Sequence, residues 1–143
     1  MTVIAFRDGV LAADTQCTFN GALEGRVIKI AKRKTVLAAV CGRSPQARAF
    51  LDWFRTGMRG ECPDLGTAED NAWGFIYPEA DHVLWFKPGG LEDFRTPFHA
   101  TGSGSDYAMG AMGMGADAVR AVEVAAQFCT ACSLPVTVLR RAA

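Results

Sequence analysis

The chain opens on an almost continuous apolar run, MTVIAF, broken at Arg7-Asp8-Gly9 and resumed as VLAA up to Asp14. This pattern predicts a β-hairpin over 2–7 and 10–14, with Asp8-Gly9 as a two-residue turn whose twist matches the strands. Val3, Ile4, Ala5 and Phe6 do not alternate with polar residues, so both faces of the first strand are expected to be covered. Positions 15–25 then read as a polar connection, with Asn20-Gly21 and Gly25 as turn signals. Runs 26–30 and 35–41 read as two further strands, split by a basic turn at Lys32-Arg33-Lys34 and closed by Gly42.

Ser44-Pro45 marks a helix start, since serine can cap and proline suits the first helical turn. Ala47, Phe50, Leu51, Phe54 and Met58 follow at helical spacing, and Gly57 and Gly60 weaken the continuation. Residues 61–70 are polar and turn-rich, a loop. Runs 71–77 and 82–87 predict a second hairpin across Pro78-Glu79-Ala80-Asp81. Pro88-Gly89-Gly90 breaks the chain, and 94–101 is a weaker strand interrupted by Pro97. A glycine- and serine-rich stretch leads into a helix over 107–114. Its glycines each cost roughly 1 kcal/mol relative to alanine and are best tolerated where a neighbour packs close. Asp117 can cap a last helix running to about 132, with Val119, Val122, Ala126 and Cys129 opposite Arg120, Glu123 and Gln127. Run 134–139 closes as a strand.

Strands and helices do not alternate regularly, which argues against a doubly wound parallel sheet. The expected class is α+β: two mainly antiparallel sheets packed face to face, with helices outside. A length of 143 residues with 50% hydrophobic content predicts one domain over 1–143, large enough to fold without metal or disulfide. Formal net charge is +0, which gives no reason to expect nucleic acid or an anionic membrane as partner. No apolar stretch is long enough to span a bilayer. Arg7 and Asp8 interrupt the first apolar run too early for a signal peptide. Five cysteines, an odd number, favour reduced thiols and a cytoplasmic setting.

Thr2 carries the most suggestive chemistry. If Met1 is removed, one residue offers a hydroxyl nucleophile and a free α-amine that can act as its base. The rival signal is Cys129-Thr130-Ala131-Cys132, but a redox pair should open a helix rather than close one. A zinc site needs about four ligands, and Cys17, Cys41, Cys62, His82 and His99 show no paired spacing. The thiols therefore read as small buried residues, with no metal and no cofactor expected. Ser44, Ser103 and Ser105 form no recognisable triad motif with the two histidines.

MTVIAFRDGVLAAD, followed in order by EGRVIKI, by VLAAVCG before a helix, and by ATGSGSDYAMGAM, resembles HslV and the proteasome β-subunits. These are N-terminal nucleophile hydrolases. The resemblance implies a four-layer αββα sandwich, shortened here by loss of one helix, because 61–70 stands where the family has its second long helix. It implies Thr2 as nucleophile, Lys29 as the site lysine and Asp14 as the aspartate that holds it. Gly42 would supply an oxyanion N–H, and Ser103 would lie near the terminal amine. An unperturbed α-amine titrates at about 7.7–8.0, and a nearby Lys29 ammonium would lower that further. Thr18, Ala31 and Ala39 match substrate-binding positions, the two alanines lining a pocket for a bulky apolar side chain. Arg43 replaces a second glycine, where a cation could bind acidic substrate groups or obstruct the cleft. Gln127 replaces an aspartate of the late helix. The implied activity is a threonine-type endopeptidase acting on unfolded polypeptide, in a homo-oligomeric ring that an ATPase unfoldase could feed. The alternatives are a catalytically silent subunit with an assembly role, and a small-molecule amidohydrolase of the same superfamily.

Overall fold

The computed structural model describes residues 2–142; Met1, and with it the bond to Thr2, lies outside the described residues. Strands β1 (Ile4–Arg7) and β2 (Val10–Ala13) form the expected hairpin. Asp8 and Gly9 both take positive φ, +52° and +74°, the backbone that a tight two-residue turn demands and that Asp-Gly supplies. β10 (Phe98–Thr101) pairs with the free edge of β1, and β11 (Thr137–Arg140) with that of β2, so the sheet runs β10-β1-β2-β11, all antiparallel.

A second antiparallel sheet follows chain order: β5 (Ile30–Arg33), β6 (Val36–Gly42), β7 (Ala72–Tyr77), β8 (His82–Lys87) and β9 (Gly90–Arg95). Period-two alternation sorts its side chains. Leu37, Ala39 and Cys41 of β6 meet Ile4, Phe6 and Leu11 of the first sheet. Ala38 and Val40 face α1 (Ser44–Arg55), which presents Phe50, Leu51 and Phe54. On the far side of the first sheet, Val3, Ala5 and Ala12 pack on α2 (Ser105–Gly113) and α3 (Ala118–Phe128). The unbroken apolar reading of the first strand is thus accounted for, since Ile4 and Phe6 face one core and Val3 and Ala5 the other.

Several expectations change. The polar stretch after Asp14 is a hairpin of its own, β3 (Gln16–Phe19) and β4 (Ala22–Arg26), turning at Asn20-Gly21 with φ +50° and +78°. The strand expected over 26–30 does not form; 27–29 lie between β4 and β5. Lys32 and Arg33 belong to β5, and the turn falls on Lys34-Thr35. The weak strand over 94–101 is two strands in different sheets, β9 and β10, parted at Thr96-Pro97. Ser44 is the first residue of α1, not its cap. That helix ends at Arg55, leaving Met58 outside it. α3 stops at Phe128, and its buried face is Ala118, Ala121, Val122 and Ala125, rotated one position from the expected stripe. Small side chains win that face because the helix lies close on the alanines of β1 and β2. Among the described residues no helix intervenes between α1 and α2, and none is long and apolar enough to cross a membrane.

Candidate active site

Thr2 leads into β1 and is 3% exposed. Its backbone N–H donates to Ser103 Oγ at 3.1 Å, and its carbonyl accepts from Gly104 N–H at 3.1 Å. The approach of the 102–104 loop is close enough to require glycine. Gly102 has φ +95°, and a Cβ there would overlap the Thr2 carbonyl oxygen. The sequence motif GSGS therefore acts by letting the loop seat Ser103 against the start of β1.

Asp14 directly follows β2, its main-chain N–H donates to the Val3 carbonyl at 3.1 Å, and its side chain is fully buried. Its Oδ1 accepts from Lys29 Nζ at 2.8 Å and from Val3 N–H at 3.0 Å. Its Oδ2 accepts from the backbone N–H of Gln16 and of Ser133, each at 3.2 Å. A buried ion pair is tolerable only where such extra hydrogen bonds offset the lost hydration. The pair is side-chain exposed by 6% for Lys29 and 0% for Asp14. The Lys29 carbonyl accepts from Val40 N–H at 2.9 Å, which ties the 27–29 segment to β6. Sequence reasoning missed Ser133 and Gln16 as supports of Asp14. Both act through main-chain N–H groups, which no side-chain motif announces.

Gly42 closes β6 with φ +96°, and a Cβ on it would lie 2.5 Å from the Asn71 carbonyl oxygen. Next to it, Cys41 is buried, and burial pushes its thiol up to about 11. Two clefts meet at this point, sharing Thr2, Cys41 and Gly42. The first, of about 510 Å³, runs between the 27–29 segment and α1 and is lined by Thr18, Lys29 and Arg43 among others. The second, of about 550 Å³, runs past Ser103, Trp73 and Asn71.

Thr2, Asp14, Lys29, Gly42 and Ser103 are therefore gathered at one place, and Thr18 stands on the wall of the first cleft. Ala31 and Ala39 are not on that wall. Ala31 faces α1 and Ala39 faces the first sheet, both in closed cores. Ala39 is in mid-strand and faces away from the cleft, while Ala31 sits one layer behind the wall formed by Val40, Ala47 and Leu51. Arg43 pairs with Asp70, an exposed contact that draws its guanidinium to one side of the cleft. Gln127 is exposed on α3 and lines neither cleft. The Sγ atoms of Cys129 and Cys132 lie 3.3 Å apart beyond the end of α3. Burial pushes the Cys132 thiol far up, as expected for a packed rather than a reactive residue. Among the described residues no cluster of three or more potential ligands forms a metal site.

No family model matches the sequence, and no curated protein does so significantly. Solved structures do match in fold. BPH of Thiobacillus denitrificans in complex with epoxomicin superposes with TM-score 0.69 at 23% identity, covering 100% of both chains. The same organism's BPH in a second structure gives 0.62 at 22%, over 99% of this chain and 98% of that one. Eukaryotic HslV from Trypanosoma brucei gives 0.70 at 17%, over 98% and 99%. At such identities the likeness is one of backbone rather than of chemistry. This chain has the fold of HslV and BPH.

Proposed function

We propose that this chain is a proteasome-like threonine endopeptidase subunit that cuts unfolded polypeptide through Thr2 once Met1 is removed. The observation that carries the proposal is the position of Thr2. It stands where two clefts meet, with its nitrogen on Ser103 Oγ and the buried Asp14–Lys29 pair anchored at the next residue. With Met1 gone, that nitrogen becomes a primary amine. It takes the proton of Thr2 Oγ as the oxygen attacks a peptide carbonyl, giving a tetrahedral intermediate. A donor such as the Gly42 N–H, aimed at the resulting oxyanion, is worth about 3–4 kcal/mol in comparable sites. The ammonium then gives its proton to the leaving amine, the C–N bond breaks, and an ester on Thr2 remains. Water activated by the same amine hydrolyses the ester. Ser103 would orient the amine, and Lys29, held by Asp14, would lower the amine's proton affinity.

The same proposal takes the fold as a single four-layer αββα domain lacking one helix. The three separate cores support this reading, as does the helix-free stretch between α1 and β7. It takes the working form as a homo-oligomeric ring, fed with unfolded chains by an ATPase.

The test combines N-terminal mass and activity. Protein purified from its natural source should begin at Thr2 and hydrolyse an unfolded protein such as casein. Thr2→Ala should lower that activity by several orders of magnitude, since deleting a nucleophile elsewhere costs about 10⁶-fold. Met1 retained throughout, with no hydrolysis, would leave the silent-subunit reading. Turnover of small amides but not of casein would favour the amidohydrolase.

A further inference from the structure

We infer that the cleft on the α1 side binds an acidic substrate side chain, a glutamate above all, and that Arg48 selects it. The inference rests on the peptidase reading of Thr2. Of the two clefts, the one past Ser103 receives the leaving group, because the amine that must protonate it is hydrogen-bonded to Ser103. The acyl half of the substrate then lies in the other cleft, between the 27–29 segment and α1.

That cleft has two chemically distinct parts. Val27, Ile28 and Leu51 give it an apolar wall. Its cations are the buried Lys29 and, on the exposed rim, Arg43, Arg48 and Arg55, against one carboxylate, Asp52. Three of these cations are already matched: Lys29 by Asp14, Arg43 by Asp70, and Arg55 by Asp52 at 3.3 Å. Arg48 has no acidic partner among the described residues. It lies on α1 one helical turn after Ser44 and one before Leu51, so the helix turns this stripe toward the cleft. An apolar wall ending in an unmatched guanidinium suits two methylenes capped by a carboxylate, which Arg can grip with paired N–H donors. The expectation from the resemblance, a pocket for a bulky apolar residue lined by Ala31 and Ala39, changes because neither alanine lines the cleft: Ala39 faces the first sheet, and Ala31 lies in the core behind Val40, Ala47 and Leu51 of the wall.

The test uses processed protein and peptides that differ only at the residue before the scissile bond: Glu, Gln, Leu or Lys. Comparing Glu with Gln isolates charge at constant shape. An ion pair on a solvated rim should raise kcat/KM for Glu over Gln by about fivefold at low salt, and the advantage should shrink as salt is added. Arg48→Gln should bring the Glu-to-Gln ratio close to one, and Arg48→Glu should favour Lys over Glu. A wild-type ratio of one, or a ratio that survives Arg48→Gln, overturns the inference while Thr2-dependent cleavage of the other peptides keeps the peptidase reading. Absence of Thr2-dependent cleavage of every peptide overturns both.

Discussion

At the scale of single residues the Asp14–Lys29 pair makes the sharpest demand on the sequence. Every oxygen of Asp14 is occupied, by one ammonium and three main-chain N–H groups. Asp14→Asn leaves the Lys29 ammonium in a dry site without its carboxylate, and should cost about 3–5 kcal/mol of folding stability. Urea unfolding checks this; a loss under 1 kcal/mol would mean that the pair is solvated in solution. Adding Lys29→Met to that variant should recover part of the loss, because the buried charge is gone. Thr2 was singled out by its own chemistry, whereas Asp14, Lys29, Gly42 and Ser103 came from the four sequence blocks that carry the family resemblance. The fold brings these five residues to one place. Ala31 and Ala39 were misplaced for a physical reason. Alternation along a strand tells which face a residue takes, but neither which face meets a cleft nor what lies between them. Arg48 was passed over because an arginine on the polar side of a helix looks the same whether it meets bulk water or a cleft.

At the scale of elements, apolar periodicity carried the long segments and failed on polar ones. Asn20-Gly21 is a strong hairpin signal, yet QCTF alternates over only four residues and ALEGR does not alternate, so the flanking strands were hidden. Pro97 was visible as an interruption, but not as the crossing from one sheet to the other. That crossing puts His99 of β10 against Phe75, Tyr77 and Phe94 of the second sheet. His99 Nδ1 and the Tyr77 hydroxyl share a hydrogen bond at 3.0 Å. Burial holds the imidazole's pKa down to about 4, from an ordinary value of 6.5. The unfolded chain therefore takes up a proton as pH falls below 6.5, while the folded one stays neutral until about pH 4. Stability is full above the unfolded value and declines through this window, by about 3 kcal/mol at its lower end. His99→Gln keeps a hydrogen-bonding group and removes the titration. Its urea midpoint should fall less than that of the wild type between pH 7 and pH 4.5. Parallel falls would mean that His99 does not hold the sheets together as a neutral group.

At the scale of the whole molecule, the two large sheets and three helices among the described residues close on three cores, but there the β3–β4 hairpin pairs with neither sheet. A lone two-stranded hairpin is at best marginally stable in water. This one also exposes large apolar side chains: Phe19 is 64% exposed and Leu23 57%, with Ile28 just beyond it at 55%. Leu23 pairs with Thr18 and Phe19 with Ala22, so the two side chains leave opposite faces of the hairpin and give each face apolar surface that a contact could cover. The hairpin also flanks the cleft, since Cys17 and Thr18 of β3 line it. A ring that covers the hairpin would therefore stabilise one wall of the proposed active site, making activity depend on assembly. If the proposed ring forms, Phe19→Asp combined with Leu23→Asp should convert it to monomers in sedimentation experiments, with the far-UV circular dichroism retained. Peptide cleavage should fall together with the size, because the hairpin that carries Thr18 loses its cover. A wild-type chain that sediments as a monomer at all concentrations would remove the ring from the proposal. A variant that stays assembled would show that the contact between subunits lies elsewhere on the surface.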